Sequence, residues 1–311
     1  MKRFLFKTSL FCIPLVLVWL SIEIFYRQVP NNYSVKNQQI KKNSIQIEVL
    51  LFGDSHCLYG LNPKYFTKKT FNLSNVSQTI YFDKLLFEKH IANLPKLKQV
   101  VFCIEYTNLS QVDNTGDDDW RKFLYQRFMN LEVPIISKYD PRNCSLALIQ
   151  SISKSKDLIK RYFKNGTIVD CDSLGWGNNY KKEDRIPPMQ IAKRRAIVQE
   201  DGLIDFELNR NRMQEIIQQC KKRNIQVLIV SMPQTKVFES YLNQNKLKAI
   251  KKTCADFQYQ NKNTAYYLNL FDDTSFSDED FYDADHLNNV GAVKCSKIVN
   301  DYLMVMESKI K

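Results

Sequence analysis

Histidine is scarce in this chain of 311 residues: His56, His90 and His286 are the only three. This scarcity restricts the choice of a general base, the role that histidine fills most often. His90 lies in a charged predicted helix, so we expect it on the surface. His56 directly follows Ser55, so its side chain is expected to point away from that serine. His286 is therefore the only histidine that we predict to act as a base.

The cysteines are spaced irregularly, and no Cys-x-x-Cys pair occurs among the eight. This absence disfavours a structural zinc site, which is usually built from such pairs. Cys103 is predicted in the middle of a strand, and Cys220 and Cys295 on the inner faces of helices. We expect buried thiols, with one disulfide as an alternative whose pairing the sequence does not assign. We predict neither a metal nor a cofactor.

No groove-reading motif accompanies the basic residues, although the formal net charge is +12. The basic pairs are scattered along the chain, so nucleic acid is not expected as a partner. Solvated surface lysines explain the charge most simply. Attraction to an anionic glycan or to a membrane surface is the alternative.

The N-terminus has the features of a targeting segment. Three cations among the first seven residues precede an uncharged apolar run at 8–22, and no small-x-small cleavage site follows it. Trp19, Glu23 and Tyr26 are typical of an interfacial end. We predict an uncleaved signal anchor at 1–26, a transmembrane helix with its cationic end in the cytoplasm. A cleaved signal peptide is the alternative.

Apolar strands alternate with helical patterns over residues 45–311. Segments 45–52, 71–73, 99–105, 225–230 and 266–270 read as strands, and the unbroken apolar run in 99–105 is typical of a parallel strand that is covered on both faces. This alternation predicts an α/β fold, a three-layer α/β/α sandwich with a mostly parallel central sheet.

Two segments depart from this alternation. Residues 27–44 are rich in Asn, Gln and Lys and are predicted to form a polar tether between the anchor and the domain. Residues 110–205 carry mixed signals and are predicted to form a large insertion over the sheet. Trp176 in this insertion could line a sugar-binding surface, but a core aromatic residue is the expected interpretation.

Polar residues follow the strands at the points where functional groups collect in a parallel sheet. Ser55 follows the first strand, Ser77 the second and Asn108 the third, while Asp283 and His286 follow the last. A serine nucleophile needs a nearby base, and the base needs a carboxylate that holds it. The residues together therefore predict nucleophilic catalysis.

Each piece also has a simpler interpretation. Gly53-Asp54-Ser55 is a common turn sequence, and Asp283 could merely cap a helix. Asp285 competes with Asp283 as the partner of His286, although adjacent side chains usually diverge. The combination and order of the segments favour catalysis.

The chain resembles the SGNH/GDSL-type hydrolases. Gly53-Asp54-Ser55 matches their nucleophile block, and Asp283-Ala284-Asp285-His286 matches their C-terminal Asp-x-x-His block. Ser77 stands where the second block has a glycine, and Asn108 is what remains of the third block. The resemblance implies that Ser55 is the nucleophile, His286 the base and Asp283 its carboxylate. It also implies an oxyanion hole formed by Ser77, Asn108 and the N–H of Ser55.

An exported, singly anchored domain of this type is similar to proteins that acylate or deacylate cell-surface polysaccharide, or that D-alanylate cell-wall polymers. The implied function is an acetyltransferase or esterase at the bacterial cytoplasmic membrane, with its domain facing the periplasm or exterior. The implied partners are an acylated glycan and an integral-membrane acyltransferase. The alternative is a non-catalytic glycan-binding subunit of an export or modification machine.

Overall fold

The computed structural model describes residues 1–113 and 118–308. Within these residues one sheet contains five strands, and every neighbouring pair is parallel. The sheet order is β2-β1-β3-β4-β5. The strands are β1 (Val49–Phe52), β2 (Thr70–Asn72), β3 (Gln99–Ile104), β4 (Gln226–Ser231) and β5 (Ala265–Asn269).

The described helices follow the expected alternation with the strands. They are α1 (Lys2–Gln28), α2 (Asn32–Asn43), α3 (Ser55–Gly60), α4 (Ile80–His90), α5 (Arg121–Met129), α6 (Ile152–Asn165), α7 (Pro188–Gln199), α8 (Glu207–Lys222), α9 (Lys236–Glu239), α10 (Gln244–Gln260) and α11 (Asn289–Ser308). Short 3-10 turns lie at Pro63–Tyr65, Ile91–Asn93, Pro141–Asn143, Leu146–Leu148, Lys182–Asp184 and Asp278–Asp280.

Both faces of the sheet are covered, as the apolar strands require. On one face Val101 and Leu228 join a core cluster with Val299 of α11. On the other face Phe52 packs edge-on against Phe87 of α4, with ring centroids 6.3 Å apart. Parallel strands buried on both faces are typical of α/β folds, so the predicted three-layer α/β/α sandwich is confirmed.

The chain divides into two compact units. The first comprises Met1–Asn37 and Asp117–Asp170, and the second comprises Gln38–Gly116 and Cys171–Lys311, with the whole sheet. The residues of the expected insertion at 110–205 are divided between the two units. Its later part is tied to the sheet unit because the Asn72 N–H donates to the Leu174 carbonyl at 2.9 Å and the Gly177 N–H to the Leu58 carbonyl at 2.9 Å.

Helix α1 is long and apolar enough to cross a membrane. Its residues before Ile22 are exposed, whereas Ile22, Glu23 and Tyr26 are buried within the first unit. Glu23 accepts hydrogen bonds from the Ser145 hydroxyl at 2.8 Å and from the Ala147 N–H at 2.9 Å. The carboxylate at the expected interfacial end is therefore bound by protein groups.

The predicted tether at 27–44 contains the helix α2. The Asn31 side chain accepts from the N–H groups of Tyr33 at 3.0 Å and Ser34 at 3.1 Å, which satisfies donors of the first turn. Tyr33 and Ile40 are also buried. A polar composition alone did not reveal this cap or the two buried apolar side chains.

The surface position predicted for His90 is wrong. His90 ends α4, is only 4% exposed and lies one turn from the buried Leu86 and Phe87. Burial, together with the charges of Lys89 and Lys41, lowers the pKa of His90 to about 4, so its ring is neutral at physiological pH.

All eight cysteines are free thiols. Cys103, Cys220 and Cys295 are buried, as their strand and helix positions predict, whereas Cys144 is exposed. Burial raises the pKa of the Cys103 thiol well above its usual value, which makes it a poor nucleophile.

Candidate active site

The candidate nucleophile lies at a tight junction between β1 and α3. Gly53 has a φ of +134°, and a Cβ at this position would lie 3.1 Å from side-chain atoms of both Cys57 and Cys103. A glycine is therefore required there. Asp54 caps α3 by accepting from the His56 N–H at 2.8 Å. Ser55 is thereby the first helical residue, at the carboxyl end of β1, and is partly exposed.

The last loop before α11 presents His286. Phe281 and Leu287 form an isolated antiparallel bridge, and the Tyr282 N–H donates to the His286 carbonyl at 2.8 Å. Asp283 accepts from the His286 N–H at 2.8 Å, so one carboxylate fixes both the loop and the side chain of this histidine. Asn288, not Asp283, caps α11, since its side chain accepts from the first N–H groups of that helix.

The structure brings Ser55, His286 and Asp283 together in one chain of contacts, despite 231 positions between the serine and the histidine. Ser55 Oγ lies 2.8 Å from His286 Nε2. Both carboxylate oxygens of Asp283 lie 3.1 Å from His286 Nδ1. With the proton on Nδ1, Nε2 is free to accept the serine proton, as general-base activation requires.

The electrostatics around His286 keep it available for protonation. Burial by itself lowers its pKa, but the carboxylates of Asp283 and Asp285 act together in the opposite direction, so the pKa of His286 is raised above its ordinary value. Conversely, burial by itself raises the pKa of Asp283, but the adjacent His286 lowers it overall. An ionised Asp283 stabilises the imidazolium that forms when His286 takes a proton.

The competing carboxylate, Asp285, has a different set of partners. Its Oδ1 pairs with Arg195 Nε at 2.5 Å, and its Oδ2 accepts from Arg195 Nη2 at 2.9 Å and from Gln199 at 2.7 Å. It lies 3.5 Å from His286 Nδ1, farther than Asp283. Asp285 therefore joins the two α7 side chains to the site, while Asp283 is the closer partner of His286.

The prediction that the His56 side chain points away is wrong. Its ring stacks on that of His286, with centroids 4.3 Å apart and planes inclined by 16°. The reason is a pair of carboxylates, because His56 Nδ1 lies 3.1 Å from Asp54 and its Nε2 lies 3.3 Å from Asp285. Burial lowers the pKa of His56, but these two carboxylates raise it well above its usual value, so His56 is a buried imidazolium.

We call Asp54, His56, Asp285 and Arg195 the supporting network. Sequence reasoning did not find it. Arg195 lies 90 positions from Asp285 on a helix of the predicted insertion, and no motif marks it. The sequence does contain Asp54 and Asp285, the two carboxylates that contact His56. That both contact the same ring depends on the fold.

Two further buried acids lie beside the supporting network. Burial raises the pKa of Asp83 to about 8 and, with the charge of Asp54, that of Glu105 to about 7. Gln78 donates to Asp83 at 2.6 Å. Asp83 is therefore largely protonated at neutral pH, which limits the negative charge that His56 must balance.

The two residues predicted for the oxyanion hole lie at the carboxyl ends of β2 and β3. Asn108 is buried and donates one amide hydrogen to Asp54 Oδ2 at 3.1 Å, which leaves only its other amide hydrogen for another acceptor. Ser77 is partly exposed and has a φ of +54°, the left-handed conformation that a glycine adopts most easily. Their role in binding an oxyanion stays a prediction.

Three tyrosines form a stack beside His286. The Tyr59 and Tyr180 rings are 3.8 Å apart, and those of Tyr180 and Tyr282 are 4.0 Å apart. Tyr180 meets the His286 ring edge-on at 5.5 Å. Trp176 donates its indole N–H to the Tyr59 carbonyl at 2.9 Å, so it helps to fix this stack from the side.

Helix α7, which carries Arg195, is held in place by polar contacts just beyond its last residue. Lys246 is fully buried and pairs with Asp201 at 2.5 Å, while Ser110 donates to the same carboxylate at 2.7 Å. The Tyr106 hydroxyl donates to Glu200. A buried ammonium needs such a partner, so these contacts restrict the position of α7.

Two groups of these residues have ligand atoms near enough to hold a metal: Asp54 with His56 and Glu105, and His56 with Asp285 and His286. The ligand atoms of His56, Asp285 and His286 lie within 4.8 Å of one another. However, the Arg195 guanidinium already pairs with Asp285, and His286 Nε2 faces Ser55. A second cation would be repelled by Arg195, so the donor set fits acid–base chemistry better than metal binding.

No protein-family model matches the chain, and no curated protein matches it. Two solved structures are similar in fold. One is a protein from Streptococcus pneumonia described as a "putative platelet activating factor", with 12% identity, a TM-score of 0.41 and coverage of 95% of this chain and 99% of that one. The other is a GDSL-like lipase from Bacteroides thetaiotaomicron, with 12% identity, a TM-score of 0.40 and coverage of 89% and 96%. Both likenesses are weak, so the interpretation of the site depends on its geometry.

Proposed function

We propose that this protein is a serine-dependent acyl-ester enzyme. The observation that carries the proposal is the contact chain from Ser55 Oγ through His286 to Asp283, at 2.8 Å and 3.1 Å. The nucleophile is partly exposed, whereas its base and carboxylate are buried. This combination suits a serine that must meet substrate while its proton acceptor is kept in one orientation.

The proposed reaction is acyl transfer. His286 takes the Ser55 proton as the serine oxygen attacks an ester carbonyl, and the ionised Asp283 stabilises the imidazolium. The N–H groups of Ser55 and Ser77 and the free amide hydrogen of Asn108 are the proposed donors to the oxyanion. His286 then returns the proton to the leaving oxygen, and water or a sugar hydroxyl resolves the acyl-enzyme.

We propose as substrate the O-acyl groups of a cell-surface polysaccharide, with the protein acting as an acetyltransferase or esterase. The apolar helix α1 supports an anchored protein. We propose that its domain faces the periplasm or exterior of a bacterial cytoplasmic membrane. An integral-membrane acyltransferase is the proposed source of acyl groups if transfer is the reaction. The choice of substrate depends on analogy, because a fold does not determine a substrate.

A fluorophosphonate probe tests the proposed chemistry, since it traps an activated serine covalently. We expect the detergent-solubilised full chain to be labelled, and labelling to be lost in Ser55→Ala and His286→Ala. Ser275→Ala, a change at an exposed serine, is the matched control and should label normally. Equal labelling of the Ser55→Ala variant would overturn the assignment of the nucleophile.

A non-catalytic glycan-binding subunit is the second candidate. The observations that favour it are the left-handed Ser77 at a glycine position and the amide of Asn108 that is engaged by Asp54. This candidate predicts a folded protein that binds acylated polysaccharide but forms no serine adduct. The contact between Ser55 and His286 argues against it, because a binding protein has no need of an aligned base.

A further inference from the structure

Helix α6 in the first unit has two unlike sides. Its sequence contains five cations and one acidic residue, and the helix is closed by Ser151 at its start and by Gly166, with a φ of 71°, at its end. It is thus a defined, capped helix. Of its 14 residues only Ser155 is buried. Most of this helix therefore faces something other than the described protein core.

The buried side of α6 rests on the last turn of α1. Ser155 Oγ lies 3.0 Å from the Tyr26 hydroxyl, and the Tyr162 ring packs edge-on against Phe25 at 5.8 Å. The preceding part of α1 is the exposed apolar stretch that is long enough to cross a membrane. If α1 crosses, α6 is fixed where the hydrocarbon of the bilayer ends and the headgroups begin.

An apolar stripe on α6 is left uncovered. Ile152, Ile159 and Phe163 are spaced by seven and four residues, which places them within about 40° of one another around a helix. Ile152 is 70% exposed and Phe163 is 82% exposed, while Ile159 is partly exposed. Exposed isoleucine and phenylalanine on one stripe indicate a surface that is covered by another apolar phase.

A row of lysines borders this stripe. Lys156, Lys160 and Lys164 are exposed and follow one another at four-residue spacing, where like charges repel. None of the three forms an ion pair with a residue of the described ranges. By contrast, Arg161 pairs with Asp170 at 3.1 Å, and Lys154 lies over the Trp120 ring. The lysine row is thus a set of unneutralised cations beside an apolar stripe.

We propose that α6 is an interfacial helix that binds anionic phospholipid. Its stripe of Ile152, Ile159 and Phe163 enters the boundary between headgroups and acyl chains, and its lysine row binds the phosphate groups. A basic helix with a polar face and large apolar side chains lies in the membrane plane in this way, and lysine stems reach from it to the headgroups. The proposal depends on α1 crossing the bilayer and is independent of the catalytic proposal.

Photo-crosslinking tests this inference on the full chain in phospholipid vesicles. The variant Phe163→benzoylphenylalanine is reconstituted in phosphatidylcholine with an equal part of phosphatidylglycerol, or in phosphatidylcholine alone. Tyr259→benzoylphenylalanine, at an exposed aromatic of the second unit, is the negative control. Phe11→benzoylphenylalanine, in the apolar stretch of α1, is the positive control.

We expect several-fold more phospholipid adduct at position 163 than at position 259, with more adduct in the mixed vesicles than in phosphatidylcholine alone. Replacing Lys156, Lys160 and Lys164 by Gln should reduce the adduct at 163. The same change at Lys248, Lys252 and Lys262, which are exposed in the second unit, should leave it unchanged.

Three outcomes would overturn the proposal. Adducts at 163 with protein instead of lipid would assign the stripe to a protein interface. Equal adducts in both kinds of vesicle would remove the requirement for anionic lipid. Absence of lipid adducts at 163, while Phe11→benzoylphenylalanine reacts with lipid, would show that α6 does not lie on the bilayer, and absence at both positions would remove the premise that α1 crosses it.

Discussion

Two histidines stack in the candidate active site, yet their surroundings give them opposite tasks. His286 lies between a serine hydroxyl and one carboxylate, so it can gain and lose a proton. His56 lies between the carboxylates Asp54 and Asp285, which hold it as a cation. The comparison shows that the partners of an imidazole decide whether it transfers a proton or holds a fixed charge.

The largest expected effect is on the rate of serine labelling, and it differs between the two carboxylates nearest to His286. Asp283→Asn should slow fluorophosphonate labelling of Ser55 by a factor of about 10³ or more, because an amide cannot stabilise the imidazolium and favours the wrong tautomer. Asp285→Asn is the matched change in the supporting network and should slow labelling far less. A larger loss in Asp285→Asn than in Asp283→Asn would make Asp285 the orienting carboxylate.

The next prediction concerns the charge of His56. Labelling should rise with pH through the raised pKa of His286, because only the neutral imidazole accepts the serine proton. The cation of His56 opposes protonation of His286, so His56→Gln should move this rise upward by about 1 pH unit or more. Rates measured between pH 5 and 9 would show the shift.

Other charges near His286 are kept in the His56→Gln variant. They are Asp283, Asp285 and Arg195, with the tyrosines 59 and 180 beside the ring. His90→Gln is the control, because His90 is a buried neutral histidine outside the site. If the rise stays in place or moves to lower pH in His56→Gln, His56 does not act as a fixed cation.

The sequence predicted the surroundings of His286 but not those of His56. Ser55, Asp283 and His286 could be placed together because the carboxyl ends of parallel strands meet at one edge of a sheet, and the order of the strands was readable. The orientation of His56 was not readable from its adjacency to Ser55. The orientation of its ring is determined by contacts with two carboxylates, one of which is 229 positions away.

Arg195 is a second site residue whose role could not be predicted from the sequence. It lies in a segment that the sequence assigned to an insertion over the sheet, and α7 turns its small residues Ala192 and Ala196 inward. A periodicity search for large apolar residues therefore finds no buried face. The contacts in the folded protein, such as the pair of Arg195 with Asp285 and that of the buried Lys246 with Asp201, show that α7 is part of the site unit.

Asp83 provides a third test, on stability instead of rate. Its pKa is about 8 in the folded protein and near 4 when unfolded, so between these pH values the unfolded state loses a proton that the folded state keeps. The free energy of unfolding therefore falls as pH rises from about 4 to 8. Asp83→Asn cannot ionise, so its stability relative to the natural chain should grow over this window.

Melting of the full chain at pH 5, 6.5 and 8 would measure this difference. Asp301→Asn, which removes an exposed carboxylate, is the control for the loss of one negative charge. A difference for Asp83→Asn that does not change with pH would mean that Asp83 is already ionised in the folded protein. One more negative charge would then lie beside the supporting network.

The smallest expected effect is at Ser77, whose φ of +54° strains a residue with a Cβ. Ser77→Gly should raise the free energy of unfolding by about 0.5–1 kcal/mol, because the relief of left-handed strain exceeds the added freedom of the unfolded chain. Asn224→Gly is the matched control, since Asn224 has a φ of 56° but asparagine tolerates this conformation better. Melting should therefore show a smaller gain in Asn224→Gly than in Ser77→Gly. An equal or larger gain in stability for Asn224→Gly would show that the Ser77 backbone is not strained. A serine would then be as suitable as a glycine for donating its N–H to an oxyanion at this position.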